Sequence, residues 1–198
     1  MKAVVFDIGK VLIEWDARRA FAPDLGSLDA AEAFIARVNF AALNLRADGG
    51  ERFADLAQEI ADPADRAVFE TYVPNYALAV PHAIEGTWDL LDGLRARGYA
   101  IHAITNWSAE TWPVGVAAHP RLGTAFGVTI VSGREQLLKP DPRIFALLCA
   151  RAGLAPQDCL FIDDSPKNVA GARGFGMEAE LFTTPNALEA ALVARGLL

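Results

Sequence analysis

Five short apolar runs predict the strands of a buried sheet. They are Ala3 to Phe6, Ala100 to Ile104, Val128 to Val131, Leu160 to Ile162 and approximately Glu178 to Phe182. Runs that are apolar at successive positions are typical of parallel strands covered on both faces. Helical patterns lie between them, and strands that alternate with helices imply right-handed crossovers. The order of elements therefore predicts an α/β fold with a doubly wound parallel sheet.

Several helix boundaries are marked by their own signals. Apolar residues at helical spacing predict a helix over Ile84 to Arg97, with Gly98 placed to end it. Four side chains stand where helix N-caps are expected: Ser108, Asp141, Ser165 and Thr184. A proline follows each of the last three at the first helical position, where its missing N–H group has no partner to lose.

One long stretch breaks the alternation of strands and helices. Amphipathic helical patterns are found at Ala30 to Leu45 and at Arg52 to Ile60. A further helix is predicted to begin at Asp62-Pro63 and to run toward Tyr76. The stretch is too long for one ordinary crossover. We therefore predict a core of residues 1–14 and 82–198, interrupted by a helical cap over residues 15–81. The alternative is that these helices simply cover the sheet.

Composition and charge narrow the classes of partner. The chain has 198 residues, 53% of them hydrophobic, which suits one α/β domain with an insertion. A net charge of −7 argues against nucleic acid and anionic lipid as partners.

No apolar run is long enough for a membrane span, and the first residues lead into a strand rather than a signal peptide. We expect Cys149 and Cys159 to be buried thiols in a cytoplasmic protein, either a monomer or a homodimer.

Polar residues follow four of the five predicted strands. In chain order they are Asp7, then Thr105 and Asn106, then Lys139 after a short loop, then Asp163 and Asp164. Ligands of doubly wound sheets bind at the carboxyl ends of the strands, near the switch in strand order. We therefore expect these residues to form one site.

The residue types in this set have a chemical interpretation. Three carboxylates would repel one another unless a cation joined them, and oxygen-rich clusters suit Mg²⁺, which also binds substrate phosphate. Lys139 and the Thr105 hydroxyl can hold phosphoryl oxygens. One carboxylate can then attack phosphorus, giving an aspartyl-phosphate that water hydrolyses.

Four segments in order resemble the motifs of haloacid dehalogenase-like hydrolases. They are FDIGKVL at Asp7, ITN at Thr105, LKPDP at Lys139 and FIDDSPKN at Asp163 and Asp164. The resemblance covers nearly the whole chain. It implies a Rossmann-like core with strand order 5-4-1-2-3, and a helical insert between the first two motifs is what the first cap class of the family implies.

The resemblance also implies roles for individual residues. Asp7 would be the covalent nucleophile of a phosphatase that acts on a small phosphorylated metabolite, with sugar phosphates as the first candidates. The Mg²⁺ ligands would be Asp7, the Gly9 carbonyl, Asp164 and, directly or through water, Asp163. The phosphoryl group would be bound by Thr105, Asn106 and Lys139.

The sequence departs from the family pattern at Gly9. Many phosphatases of the family carry a second Asp there, which serves as general acid and base. Such catalysis typically raises the reaction rate about 10²–10⁴-fold. The leaving oxygen would then depart with help only from the metal site, a water or a cap residue, so Gly9 predicts rates that depend steeply on leaving-group acidity. A branch of sugar-phosphate phosphatases has a similar Asp-x-Gly-x-Val motif, which implies that the loss is tolerated.

The sequence is also compatible with two other functions. The family contains 2-haloacid dehalogenases that use an Asp nucleophile without a metal, although these typically carry an aromatic residue at the position of Gly9. A non-catalytic phosphate-binding or interaction protein of the same fold is the second alternative. The sequence also leaves open whether Lys10, Arg46 and Asp48 contact the substrate.

Overall fold

The computed structural model describes all 198 residues and contains one five-stranded parallel sheet. The strands are β1 (Ala3–Phe6), β2 (Ala100–Thr105), β3 (Thr129–Val131), β4 (Cys159–Asp163) and β5 (Glu178–Leu181). They lie in the order β3-β2-β1-β4-β5, and every neighbouring pair is parallel. All five predicted strands, the order 5-4-1-2-3 and the α/β fold class are confirmed.

Residues of the central strand alternate between two apolar layers. Val4 and Phe6 belong to one cluster of buried side chains, whereas Ala3 and Val5 belong to the other. All four are fully buried, as expected for a strand covered on both faces. Because β1 lies between β2 and β4, the residue that follows it emerges at the centre of the sheet edge.

Six helices cover these two layers on the core side of the fold. They are α7 (Glu85–Ala96), α8 (Trp112–Ala118), α9 (Ser132–Glu135), α10 (Pro142–Ala152), α11 (Pro166–Phe175) and α12 (Pro185–Ala194). Side chains of α7 and α12 pack into the cluster of Val4, and side chains of α10 and α11 pack into that of Ala3. The longest helix, α7, has 12 residues, and none of the helices has the length and apolar character that would take it across a membrane.

The predicted helix caps are largely observed. Asp141 and Thr184 accept backbone N–H bonds at the starts of α10 and α12, and Ser165 occupies the N-cap position of α11 without a side-chain bond. The prediction for Ser108 is wrong. Its hydroxyl accepts the N–H of Glu110 in a turn, and the helix begins only at Trp112.

The stretch between β1 and β2 contains helices and no named strand. These are α1 (Arg18–Leu25), α2 (Leu28–Arg37), α3 (Phe40–Asp48), α4 (Phe53–Ala57), α5 (Pro63–Glu70) and α6 (Tyr76–Ala79). We call them the helical insert. The single helix predicted over Ala30 to Leu45 is two helices, because Asn39 has a left-handed φ of 51° that breaks the chain direction between α2 and α3.

An aromatic cluster holds the helical insert together. The Phe21 ring lies 4.9 Å from that of Phe34, 5.2 Å from that of Phe40 and 5.2 Å from that of Tyr72. Edge-to-face and offset pairs of this kind add to the free energy of burial. The same apolar cluster continues into Phe6 of the sheet, so the insert is packed directly against the core. That the insert acts as a separate cap lobe stays a prediction.

Candidate active site

The residues predicted from the strand ends meet at one edge of the sheet. Six of them line a cavity of about 210 Å³ at the carboxyl ends of β1, β2 and β4: Asp7, Gly9, Thr105, Asn106, Lys139 and Asp164. Asp163 is fully buried and bonded to Lys139, which lines the cavity. This is the position that the switch in strand order creates in a doubly wound sheet.

A buried lysine joins two of the carboxylates. The Lys139 Nζ atom lies 2.8 Å from Oδ1 of Asp7 and 2.6 Å from Oδ2 of Asp163, and its side chain is completely buried. Burial alone would lower the pKa of Lys139, but the two carboxylates outweigh it and the pKa is raised. Lys139 therefore stays charged and fixes both acids.

Asp7 presents one free oxygen to the cavity. Its Oδ1 atom accepts hydrogen bonds from Lys139 and from the N–H of Ile8 at 2.7 Å, whereas Oδ2 accepts none. Burial raises the pKa of Asp7 to about 7 in the metal-free protein, and the charge of Asp163 adds to this against the opposing effect of Lys139. The carboxyl group thus lies in a setting that disfavours its negative charge.

Asp163 has a different environment from its neighbour. Its Oδ1 atom accepts the N–H of Ser165 at 2.8 Å and the Nδ2 of Asn168 at 3.0 Å, while Oδ2 accepts Lys139. Both oxygens are therefore engaged within the protein. Asp164 is only half-buried, and its pKa is raised by burial and by the charge of Asp163. The turn after β4 holds Asp163 in place and leaves Asp164 facing the cavity.

The donor set fits a divalent cation. Carboxylate oxygens of Asp7, Asp163 and Asp164 all lie within 4.8 Å of one another, and Lys139 supplies one positive charge against three negative ones. Oxygen-only ligands with excess negative charge are the chemistry that Mg²⁺ prefers. Asp7, Asp164 and Gly9 all line the cavity.

Hydrogen bonds connect the second motif, at Asn106, to the third motif, at Lys139. The Asn106 side chain accepts the N–H of Lys139 at 2.9 Å and donates to the Lys139 carbonyl at 3.2 Å. Asn106 therefore orients the loop that carries Lys139, in addition to lining the cavity. Thr105, the last residue of β2, is buried and also lines the cavity.

The whole arrangement can be compared with known proteins. A family model for haloacid dehalogenase-like hydrolases matches residues 1–176. The chain belongs to this family.

Curated relatives of this haloacid dehalogenase-like hydrolase include enzymes that act on phosphate esters. Flavin mononucleotide hydrolase 1 of Arabidopsis thaliana is 32% identical over 105 residues, which cover 53% of this chain and 42% of that protein. A phosphoglycolate phosphatase of Pseudomonas putida is 28% identical over 130 residues, covering 66% of this chain and 47% of the relative. The match thus spans less than half the length of either relative.

Solved structures of the family have the same fold. A haloacid dehalogenase-like hydrolase of Porphyromonas gingivalis superposes with a TM-score of 0.75 at 22% identity, covering 98% of this chain and 97% of that one. An enzyme of the family from Bacteroides thetaiotaomicron, in complex with magnesium and inorganic phosphate, gives a TM-score of 0.71 at 20% identity, covering 93% and 95%. At these identities the likeness concerns the fold.

The helical insert of this haloacid dehalogenase-like hydrolase contributes side chains that the motifs do not contain. Asn44, Asp48 and Tyr76 line the same cavity as Asp7. Arg46, in contrast, is directed outward and forms ion pairs with Glu51 and Glu59. Of the two insert residues considered from the sequence, the structure brings Asp48 to the site and keeps Arg46 away from it.

Two further residues lie at the site for different reasons. Lys10 has a φ of 60° and its Nζ atom lies 5.3 Å from the centre of the Trp15 ring, at the edge of the cavity. Ser132 was not identified as a site residue from the sequence. Like Asp7, however, it is the first residue after a strand, in this case β3. Its buried hydroxyl donates to the Asp48 carbonyl at 2.5 Å and accepts the N–H of Trp107 at 2.9 Å, which joins the insert to the core.

A close approach of α11 holds the Lys139 loop in position. A Cβ atom added at Gly171 would lie 2.6 Å from Cβ of Pro140, the residue after Lys139. We expect Gly171→Ala to lower the free energy of unfolding by about 1–3 kcal/mol, as overpacking does, and to reduce activity by displacing Lys139. Gly174→Ala on the same helix meets no atom within 4 Å and should be neutral or stabilising. Urea denaturation of both variants tests this, and equal stabilities would contradict it.

Proposed function

We propose that the protein is a Mg²⁺-dependent phosphatase that hydrolyses a small phosphate monoester through an aspartyl-phosphate on Asp7. The observation that carries the proposal is the free Oδ2 atom of Asp7, open to a cavity whose walls also hold Lys139 and Asp164. A carboxylate fixed by a buried cation at one oxygen and free at the other is oriented for nucleophilic attack.

Each polar residue then has a part in the reaction. Asp7 attacks phosphorus, the bond to the leaving oxygen breaks, and water later displaces the Asp7 carboxylate to release inorganic phosphate. The Thr105 hydroxyl and the Lys139 ammonium donate to phosphoryl oxygens as negative charge develops there. Asn106 acts on Lys139 through the bonds to its backbone.

Asp7, Asp164 and the Gly9 carbonyl would hold the cation, and Asp163 adds charge while it orients Lys139. When bound, Mg²⁺ supplies positive charge that offsets the carboxylates and stabilises the transferring phosphoryl group. Support comes from the acidic cluster, in which three carboxylates face one lysine. It also comes from the raised pKa values of Asp7 and Asp164, to which burial contributes most and the charge of Asp163 adds.

The acidic cluster also bears on the dehalogenase alternative. A 2-haloacid is an anion, and without a cation it would meet the combined charge of Asp163 and Asp164 on entering the cavity. The single charge of Lys139 is already shared between two carboxylates, so it does not also neutralise an incoming anion, although its third N–H can still donate a hydrogen bond. These charges favour a substrate that enters together with a divalent cation.

The substrate is expected to be small. The cavity volume of about 210 Å³ is below the roughly 300–1,000 Å³ of sites for drug-sized ligands. We propose that residues 15–81 act as a cap that selects the substrate, since Asn44, Asp48 and Tyr76 line the same cavity as Asp7. A panel of small phosphate esters, including sugar phosphates and phosphoglycolate, is the direct assay of the function.

Metal dependence is the first expected result. Hydrolysis of p-nitrophenyl phosphate should require added Mg²⁺ and stop when a chelator is present, because the three carboxylates would otherwise repel the anionic ester. Readdition of Mg²⁺ in excess of the chelator should restore the rate. Full activity in the chelator would reject the metal dependence and reopen the metal-independent dehalogenase alternative, whereas no turnover of any ester or haloacid would favour a binding protein.

A further inference from the structure

One carboxylate of the helical insert faces the cavity and has no part in the reaction described above. Asp48 ends α3 and is the one acidic residue that the insert contributes to the cavity wall. Its Oδ2 atom accepts a hydrogen bond from Nδ2 of Asn44 at 3.0 Å, and its carbonyl accepts the Ser132 hydroxyl of the core. The side chain is thus held by the insert, and the backbone of the same residue is held by the core.

The segment after Asp48 fits closely against the core. A Cβ atom on Gly49 would lie 3.4 Å from the Leu138 side chain, and one on Gly50 would lie 3.0 Å from that of Gln136. Gly50 has a φ of 107°, which side-chain-bearing residues rarely adopt. The two glycines let the end of α3 lie directly against the loop that leads to Lys139.

The position of Asp48 matches a need that Gly9 leaves unfilled. In phosphoryl transfer the attacking and leaving oxygens lie roughly in line with phosphorus. With Asp7 attacking from the carboxyl edge of the sheet, the leaving oxygen points away from the sheet, and the insert contributes Asp48 to the wall of the same cavity. An alkoxide leaves slowly unless it receives a proton in the transition state, and Gly9 has no side chain to supply one.

We propose that Asp48 is the general acid and base of the phosphatase reaction, so that the helical insert supplies the proton donor that the first motif lacks. The inference rests on the proposed phosphatase function. As the bond from phosphorus to the leaving oxygen breaks, its electron pair stays on that oxygen, which takes the proton of the Asp48 carboxyl. Water then attacks the aspartyl-phosphate, gives one proton to the Asp48 carboxylate and displaces the Asp7 carboxylate. Asp48 is protonated again after one turnover.

The electrostatic setting of Asp48 suits both halves of this cycle. Burial raises the pKa of Asp48 to about 7. The backbone N–H of Ser108 and the charge of Lys139 oppose this effect, and the charge of Asp7 adds to it. A catalytic acid that must also act as a base works best when its pKa lies near the operating pH. The Tyr76 hydroxyl on the same wall is a poorer choice, since burial raises its pKa well above its ordinary value.

The test uses phenyl phosphates of similar size whose phenols differ in acidity. Wild-type protein should hydrolyse p-nitrophenyl phosphate and phenyl phosphate at comparable rates, because Asp48 protonates the poorer leaving group. The measurement is the pre-steady-state burst of phenol release, because Asp48 also acts as base in the later hydrolysis step, which both esters share. In that burst, Asp48→Asn should keep most of the p-nitrophenyl phosphate rate but lose about 10²–10⁴-fold on phenyl phosphate. The steep dependence that Gly9 alone predicts is thus expected in the variant and not in the native protein.

A control and a rescue sharpen the experiment. Asp55→Asn removes an exposed carboxylate of the same insert and should leave both rates unchanged. Gly9→Asp in the Asp48→Asn background should restore part of the phenyl phosphate rate, because a Cβ atom at Gly9 meets nothing within 4 Å and the φ of Gly9 is not positive. Circular dichroism should show unchanged folding of all three variants.

The outcomes separate this inference from the proposed function. Equal losses in the burst rates of both esters in Asp48→Asn, or no loss in either burst rate, would overturn the role of Asp48 while the phosphatase function stands. A steep dependence on leaving-group acidity already present in wild-type protein would also overturn it. Wild-type protein that hydrolyses no phosphate ester would overturn the phosphatase function itself.

Discussion

Replacing Asp7 by Asn is expected to abolish phosphatase turnover and leave the fold intact. The amide is nearly isosteric with the carboxyl group but is a poor nucleophile, so the loss should be at least about 10³-fold, as when other covalent nucleophiles are removed. Steady-state hydrolysis of p-nitrophenyl phosphate measures it. If the variant kept more than about a tenth of the activity, the increase in activation free energy would be under about 1.4 kcal/mol, and Asp7 would not be the nucleophile.

The same substitution has an expected effect on stability. Folding raises the pKa of Asp7 to about 7, so the neutral carboxyl group favours the folded state. The free energy of unfolding therefore falls as the pH rises from the pKa of Asp7 in the unfolded chain to about 7. Asn is neutral at every pH. The midpoint of thermal unfolding of Asp7→Asn, measured above pH 7 in metal-free buffer, should therefore be no lower than that of wild type. Asp89→Asn, at an exposed position of α7, is the matched control for both measurements.

Replacing Lys139 by Met is expected to destabilise the protein strongly. Met has a similar volume, so the change removes the charge and leaves Asp7 and Asp163 buried without their shared cation. Breaking a buried ion pair in this way lowers the free energy of unfolding by about 3–5 kcal/mol. Urea denaturation at pH 8 measures the loss, and phosphatase activity should fall with it.

An exposed lysine gives the control for this prediction. Lys2 lies 2.8 Å from Asp158, the same distance that separates Lys139 from Asp7, but 69% of its side chain is exposed. Lys2→Met should change stability little, because water and salt screen exposed pairs. Adding Asp163→Asn to Lys139→Met should recover part of the loss. A loss below about 1 kcal/mol in Lys139→Met would mean that the buried carboxylates do not depend on the lysine.

The strand order and most of the site were predictable because of one geometric property. Parallel strands bring their carboxyl ends to the same edge of a sheet, so polar residues after successive apolar runs must converge. Asp7, Thr105, Lys139 and Asp164 follow this rule and line one cavity. Ser132 follows it too. It directly follows β3, whereas Lys139, further along the chain, was assigned from the sequence to the end of that strand.

Other features depended on tertiary packing and were not predictable from patterns. The break at Asn39 arises from a left-handed backbone conformation inside an otherwise continuous amphipathic pattern. Arg46 and Asp48 are two residues apart on a helix, so they point to nearly opposite sides. Which of the two faces the cavity depends on how α3 packs against the core, and the pattern of the helix alone does not decide it. The engagement of both Asp163 oxygens by Lys139 and the turn after β4 also appears only in three dimensions.

The most direct test of the central claim is a crystal structure of the protein with Mg²⁺ and beryllium fluoride. The tetrahedral fluoroberyllate group imitates a phosphoryl group bonded to a carboxylate. We expect beryllium to bond to the Asp7 carboxylate, with its fluorides contacting Thr105 and Lys139 and with Mg²⁺ held by Asp7 and Asp164. Beryllium fluoride bonded to another side chain, or excluded from Asp7 in a protein that is active toward phosphate esters, would contradict the assignment of Asp7 as the nucleophile.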